Sequence, residues 1–246
     1  MCGRFTLLTL GQFTDLFPWI RMPAEPNIER RIEPLAARYN IAPSQPIAVV
    51  ANDGANQIEF FRWGLVPFWA KDAAIGNRLI NARMESLEEK PAFRAAFRSR
   101  RCLIPADGFY EWKRNPGAPK GSKIPMRIRM KSHQPFAFAG LWERWRAGDG
   151  GEVRTCTIIT GAPNDVVRPI HDRMPVILRP ADYRHWIEPG DHDAKDLLPL
   201  LATYPASEME AYPVSTLVNS PATESAECVE PVEPLPLSNA EPGLFG

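Results

Sequence analysis

Proline is the feature that most restricts this chain. Twenty-six prolines are spread over 246 residues, against a usual share of ~5%, and each removes a backbone donor and fixes φ. Such spacing leaves room for short strands and short helices rather than long ones. Hydrophobic periodicity fills the intervals. Strands are predicted at 3–8, 47–51, 59–63, 101–104, 108–113, 124–130, 136–144, 154–160, 175–178 and 210–213, with a short extended segment at 79–83. Asn52-Asp53-Gly54 supplies a turn between the second and third of these. Helical spacing marks 9–17, where Leu10, Phe13, Leu16 and Phe17 share a face, then 91–98, 180–186 and 194–201. Residues 18 to 46 read as a proline-rich connector and 64–78 as irregular. The expected fold is α+β, with a mostly antiparallel, barrel-like β core and short peripheral helices. Residues 1–233 are expected to form one domain, and 234–246, rich in Pro, Gly and Glu, a disordered tail.

At 44% hydrophobic and 24% charged, the chain has ample material for a globular core. No apolar run reaches the ~18–20 residues of a membrane span, and the amino terminus lacks a signal-peptide core. The expectation is a cytoplasmic, monomeric protein with no membrane partner. Cys2, Cys102, Cys156 and Cys228 are far apart, as are His133, His171, His185 and His192. Neither a metal site nor a disulfide framework is signalled, and no cofactor is expected. Net charge is zero, but the last 27 residues hold five acids and no base. Residues 1–219 therefore carry 24 acids against 29 bases, a mildly basic body that permits a nucleic-acid partner.

Six features offer chemistry. The chain begins Met1-Cys2-Gly3-Arg4-Phe5, and cysteine is small enough for Met1 to be trimmed. The product would carry an amine and a thiol on one residue. An α-amine has a reference pKa of ~7.7–8.0 against ~10.4 for lysine, so more of it is neutral at cytosolic pH. Such an amine attacks aldehydes to give an imine, and the adjacent thiol can close on that carbon as a five-membered thiazolidine. The bland alternative is an incidental cysteine near a start codon. In the segment 108–113, strand alternation puts Phe109 and Glu111 on one face, Tyr110 and Trp112 on the other. A carboxylate among aromatics has its pKa raised by desolvation and becomes a usable acid or base. A glutamate on a solvent-facing edge strand would do nothing of the kind.

His171, in Pro169-Ile-His-Asp-Arg-Met-Pro175, is either a general acid–base group or an inert loop histidine bonded to Asp172. Asp107 or Asp172 with His171 and a cysteine would also imitate a protease triad. Asn81 and Arg83, two apart in an extended segment, share a side where an amide orients a substrate and a guanidinium holds phosphate. Arg94, Arg98 and Arg101 follow helical spacing and are expected to form an outward stripe. Of the aromatics in 61–69, Trp63 is assigned to the core, and Trp69, beyond Pro67, to contact with a base.

The blocks Met1-Cys-Gly-Arg-Phe5, Arg38-Tyr-Asn-Ile-Ala-Pro43, Trp63-Gly-Leu-Val-Pro67, Leu79-Ile-Asn-Ala-Arg83, Pro105-Ala-Asp-Gly-Phe-Tyr-Glu-Trp112, Pro169-Ile-His-Asp-Arg-Met-Pro175 and Val218-Asn-Ser-Pro221 occur in one order. In that order the chain resembles the SOS-response-associated peptidase-like (SRAP) family, which shields abasic sites in single-stranded DNA. The resemblance runs to about Val232. It implies a terminal Cys2 that forms a thiazolidine with the ring-opened sugar, Asn81 orienting the amine, and Glu111 and His171 handling protons. It also implies DNA contacts from Arg4, Asn40, Pro43, Trp69 and Arg83. Met84-Glu85-Ser86 and Phe68 depart from the family's usual residues, which bears on how DNA fits. Two rival readings remain at this point: an amino-terminal-cysteine peptidase or amidohydrolase using the thiol as nucleophile, and a DNA-binding module without covalent chemistry.

Overall fold

The computed structural model describes residues 2–23, 36–115, 122–148 and 150–233. Among these described residues, twelve strands assemble into two sheets. The first runs in the order β12 (Met209–Pro213), β8 (Lys123–Met130), β7 (Gly108–Arg114), β1 (Phe5–Leu7) and β2 (Arg38–Ile41), with every neighbour antiparallel. The second contains β10 (Glu152–Gly161), β4 (Ile58–Trp63), β3 (Pro46–Ala51), β6 (Arg101–Ala106) and β9 (Phe136–Arg146), and pairing of β9 with β10 closes these five into a barrel. The short strands β5 (Asn81–Arg83) and β11 (Met174–Pro175) attach to the far end of β10. Among the described strand-to-strand pairings, only β10–β4 and β10–β5 are parallel. Among the described residues, four short α-helices lie outside: α1 (Leu10–Leu16), α2 (Arg94–Ser99), α3 (Tyr183–Trp186) and α4 (Ala194–Leu197). The α+β, barrel-cored, mostly antiparallel expectation is met.

The two sheets share one core. Phe5 of β1 meets Trp63 of β4 and Phe138 of β9 edge-on, with ring centroids 5.3 and 5.8 Å apart, and Phe109 of β7 meets Phe138 at 6.1 Å. Edge-to-face contacts of this kind add ~0.5–1.5 kcal/mol each beyond their burial. Trp63 is fully buried, as assigned. Because side chains alternate along a strand, Phe109 facing the barrel obliges Glu111 to face the same way. Beyond Trp63 the chain is tied back by Gly64, whose φ of +127° favours glycine and whose added Cβ would meet the Gly76 carbonyl oxygen at 2.7 Å. That close approach, with the Leu65 N–H donating to the Leu79 carbonyl at 3.1 Å, draws together the two ends of the loop 64–79 that carries Trp69.

Two expectations need correction. The connector from 18 to 46 contains β2, whose backbone N–H groups at Tyr39 and Asn40 donate to the Glu224 carboxylate. The arginine stripe also fails. Helix α2 ends at Ser99, and Arg101 begins β6 with its side chain completely buried. Its guanidinium donates to the carbonyls of Trp186 (2.8 Å), Glu188 (2.7 Å), Phe97 (3.3 Å) and Arg98, and burial lowers its pKa to about 10. Arg98 is claimed by Asp191 at 3.0 Å. The expected tail, 234–246, and residues 24–35 of the connector lie outside the described residues.

Candidate active site

Cys2 leads into β1 and is completely buried. Asn81, opening β5, donates from Nδ2 to the Cys2 carbonyl at 2.8 Å. The other end of that amide, Oδ1, is buried and accepts no hydrogen bond among the described residues. A buried amide oxygen without a donor costs free energy, so the site holds an unpartnered acceptor beside the Cys2 backbone. Asn81 itself is fixed from behind, because Trp63 Nε1 donates to the Ile80 carbonyl at 2.9 Å. Burial pushes the Cys2 thiol well above its ordinary pKa, and the nearby Glu111 charge pushes it further. At neutral pH the sulfur therefore keeps its proton.

Glu111 is 3% exposed on β7, a strand flanked on both sides, so the edge-strand alternative falls away. Burial raises its pKa to about 7, where it donates or accepts a proton with similar ease. His171 Nε2 lies 3.9 Å from Glu111 Oε2. On the other side of the ring, Nδ1 accepts from the Arg173 N–H at 3.0 Å and stands 2.9 Å from the Asp172 carboxylate. The neutral ring satisfies the first contact by carrying its proton on Nε2, toward Glu111. The protonated ring satisfies the second. Burial lowers the His171 pKa, so the neutral form prevails at neutral pH.

The loop bearing His171 is nailed down at both ends. Asn164 Oδ1 accepts from the N–H groups of Val166 and Val167 at 3.1 Å, and its Nδ2 donates to the Tyr204 carbonyl at 2.9 Å. Arg173 grips Glu85 through two bonds of 2.7 and 2.8 Å and donates to the Thr160 carbonyl at 2.7 Å. The sequence reading missed this anchor, since nothing ties residues 85 and 173 together along the chain. It also missed Thr160. Register pairs Asn81 with Ile158 and Arg83 with Thr160, which puts the Thr160 side chain on the Asn81 face. Its hydroxyl is buried and has no partner among the described residues. Asp107 belongs elsewhere, bonded to Thr6 at 2.6 Å and Arg127 at 3.1 Å, so it forms no triad with His171.

The residues expected to touch DNA divide by depth. Trp69 is 49% exposed, the adjoining Phe68 is 62% exposed, and Arg83 is exposed with no ion pair among the described residues. Pro43 is half-buried. Arg4 and Asn40 sit inside the fold: Arg4 donates to Asn40 Oδ1 and the Val218 carbonyl, each at 2.6 Å, and Asn40 Nδ2 donates to the carbonyls of Ser220 and Thr223. These two fasten the segment 218–223 to the start of the chain two residues from Cys2.

Known proteins share this chain's sequence and fold. The family profile described as SOS response associated peptidase (SRAP) matches residues 1–221. The chain is 49% identical over 233 residues to the abasic site processing protein YoqW of Bacillus subtilis, covering 94% of this chain and 99% of that one. It is 30% identical over 243 residues to the abasic site processing protein YedK of Escherichia coli, covering 94% and 100%. A crystal structure of a protein from Bacteroides thetaiotaomicron superposes with a TM-score of 0.82 at 25% identity, over 94% of this chain and all of that one. The chain belongs to the SOS response associated peptidase (SRAP) family.

Proposed function

We propose that this protein processes abasic sites by capturing them covalently in single-stranded DNA. Once Met1 is removed, the Cys2 amine attacks the aldehyde of the ring-opened sugar. The carbinolamine loses water to give an imine. The thiol then adds across the carbon–nitrogen double bond, sulfur to carbon and proton to nitrogen, closing a thiazolidine. The overall change is loss of one water. No cofactor enters this chemistry.

The observation that carries this reading is the setting of Cys2. A buried thiol held protonated is a poor first nucleophile, which weighs against the peptidase alternative. The same thiol is well placed for a second, intramolecular step, where effective molarities reach ~10⁵ M or more. Asn81 Oδ1, unpartnered beside the Cys2 backbone, suits an amine donor released by trimming. Glu111, with a pKa of about 7, suits proton delivery to the ring oxygen and to the departing hydroxyl, with His171 as its exchange partner. Arg83 and Trp69, both exposed, suit a phosphate and an unstacked base. The relatives' names, which state abasic site processing, favour the same substrate.

The test is to incubate the processed protein with single-stranded DNA carrying an abasic site, with undamaged DNA, and with a paired abasic duplex. The proposal expects an adduct that survives denaturing electrophoresis, strongest with the abasic single strand and absent with undamaged DNA. Peptide hydrolysis without any adduct would overturn it in favour of the peptidase reading, and binding without an adduct in favour of a non-covalent module.

A further inference from the structure

Strands β7 and β8 form a hairpin that continues outward past Glu111. Lys113, Arg114 and Lys123 stand on its outer part, and all three are exposed. Arg114 and Lys123 are direct cross-strand partners. Like charges facing each other across an antiparallel pair are destabilising, and no carboxylate among the described residues relieves this pair. Elsewhere much of the exposed cationic surface is cancelled: Arg98 by Asp191, Arg144 and Arg146 by Glu152, Arg168 by Asp165 and Lys195 by Asp193. The hairpin holds its cations together and leaves them unneutralised, an arrangement suited to an anion supplied from outside.

Its position says which anion. Lys113 is two residues beyond Glu111 on the same strand and shares its face, while Arg114 and its partner Lys123 stand on the other face one residue further out. Burial sets the pKa of Glu111 upward and of His171 downward, and the Lys123 charge is a smaller influence on both, so its ammonium lies within electrostatic reach of each. Arg83 follows Asn81, which donates to the Cys2 carbonyl, by two residues on β5. Exposed cations therefore flank the buried Cys2 from two different strands. A polyanion threaded across the site would meet both.

We infer that the outer part of the β7–β8 hairpin is a phosphate-binding arm, with Lys113, Arg114 and Lys123 holding the backbone of the single strand beside Glu111 and Arg83 holding it beside Asn81. The inference rests on the function proposed above and extends it to how the strand is held. Phosphate contacts by flexible surface cations are sequence-independent and salt-dependent. The arm thus serves any sequence in which an abasic site arises.

Lys123→Glu tests it, because the two consequences have opposite signs. The substitution turns a repulsive cross-strand pair into an ion pair with Arg114, so the melting temperature should rise. It also removes a phosphate partner and adds repulsion, so affinity for undamaged single-stranded DNA should fall about tenfold at low salt. The slope of log affinity against log salt should become shallower by about 0.7 for each phosphate no longer neutralised. Crosslinking to the abasic strand should slow by the same factor at limiting DNA and recover as DNA is raised. Lys123→Arg should retain the parental affinity. Lys195→Glu, an equal change in net charge on helix α4, should also leave it unaltered. Parental affinity and salt slope in Lys123→Glu, with parental protein that crosslinks normally, would overturn the arm alone. An equal loss in Lys195→Glu would overturn it too, by showing that only net charge is being read. Failure of the parental protein to bind or crosslink single-stranded DNA would take down both the arm and the proposed function.

Discussion

Cys2 and Cys102 are both completely buried, and burial raises the pKa of both thiols. Around Cys102 the barrel is apolar. A Cβ on Gly140 would come within 2.8 Å of its sulfur and 2.6 Å of Ile104 Cδ1, so glycine is needed there simply to make room. Around Cys2 stand an amide with an unpartnered acceptor, a carboxyl group that titrates near neutrality and a histidine that faces it. Exposure and thiol acidity do not tell the two cysteines apart. What differs is the set of proton carriers within reach, and the residue's place next to the chain's start.

Exchanging each cysteine is the sharpest way to break this comparison. Cys2→Ala should abolish the stable adduct altogether, leaving at most an imine that borohydride traps. Cys102→Ala should leave crosslinking at the parental rate and lower stability by about 1–2 kcal/mol through poorer packing. A denaturing gel and a thermal melt on each variant read both outcomes.

Removing the carboxyl group while keeping its shape is next in size. Glu111→Gln should slow crosslinking ~10²–10⁴-fold, the usual worth of one positioned proton donor. Adduct reversal should slow as well, since the same transfers run backwards. Stability should move the other way. The folded pKa of about 7 exceeds the ordinary ~4.3 of glutamate. The neutral group's favourable contribution is therefore complete below ~4.3 and is lost as pH rises through ~7. Glutamine cannot ionise, so above pH ~7 the variant should melt higher than the parent, and the gap should close at acid pH. A variant that reacts at the parental rate with unchanged melting would place Glu111 in a purely structural role.

His171→Ala should slow crosslinking by less than Glu111→Gln, because the carboxyl group remains to exchange protons with water. Rates measured across pH for the two variants separate these roles. The smallest effect belongs to Arg83→Ala, which should weaken non-covalent binding of undamaged single strands and flatten its salt dependence by about 0.7. Unchanged binding would return that guanidinium to the fold.

How much of this was readable along the chain follows from what each feature depends on. Strand alternation alone put Glu111 on the face of Phe109, and burial of Phe109 in the structure carried Glu111 in with it. Strand β2 was not readable, because its backbone is satisfied by Glu224, far along the chain. Arg101 misled for a local reason: helical spacing continues through it, but α2 stops at Ser99, and a strand start turned the expected surface charge inward onto four carbonyls. The meeting of His171 with Glu111 depends on the grip of Arg173 on Glu85, a pairing with no periodic signature. Motif order singled out Cys2, Asn81, Glu111 and His171, while their geometry came only with the fold.

The central claim is that the amine of Cys2, not its thiol, makes the first bond. The most direct measurement is mass spectrometry of the peptide–DNA adduct formed by two preparations, one with Met1 removed and one with Met1 retained by blocking its cleavage. The account predicts an adduct on the terminal cysteine, one water lighter than the sum of its parts, from the trimmed protein only. An equal yield from protein that keeps Met1, or an adduct mapped to another residue, would contradict it.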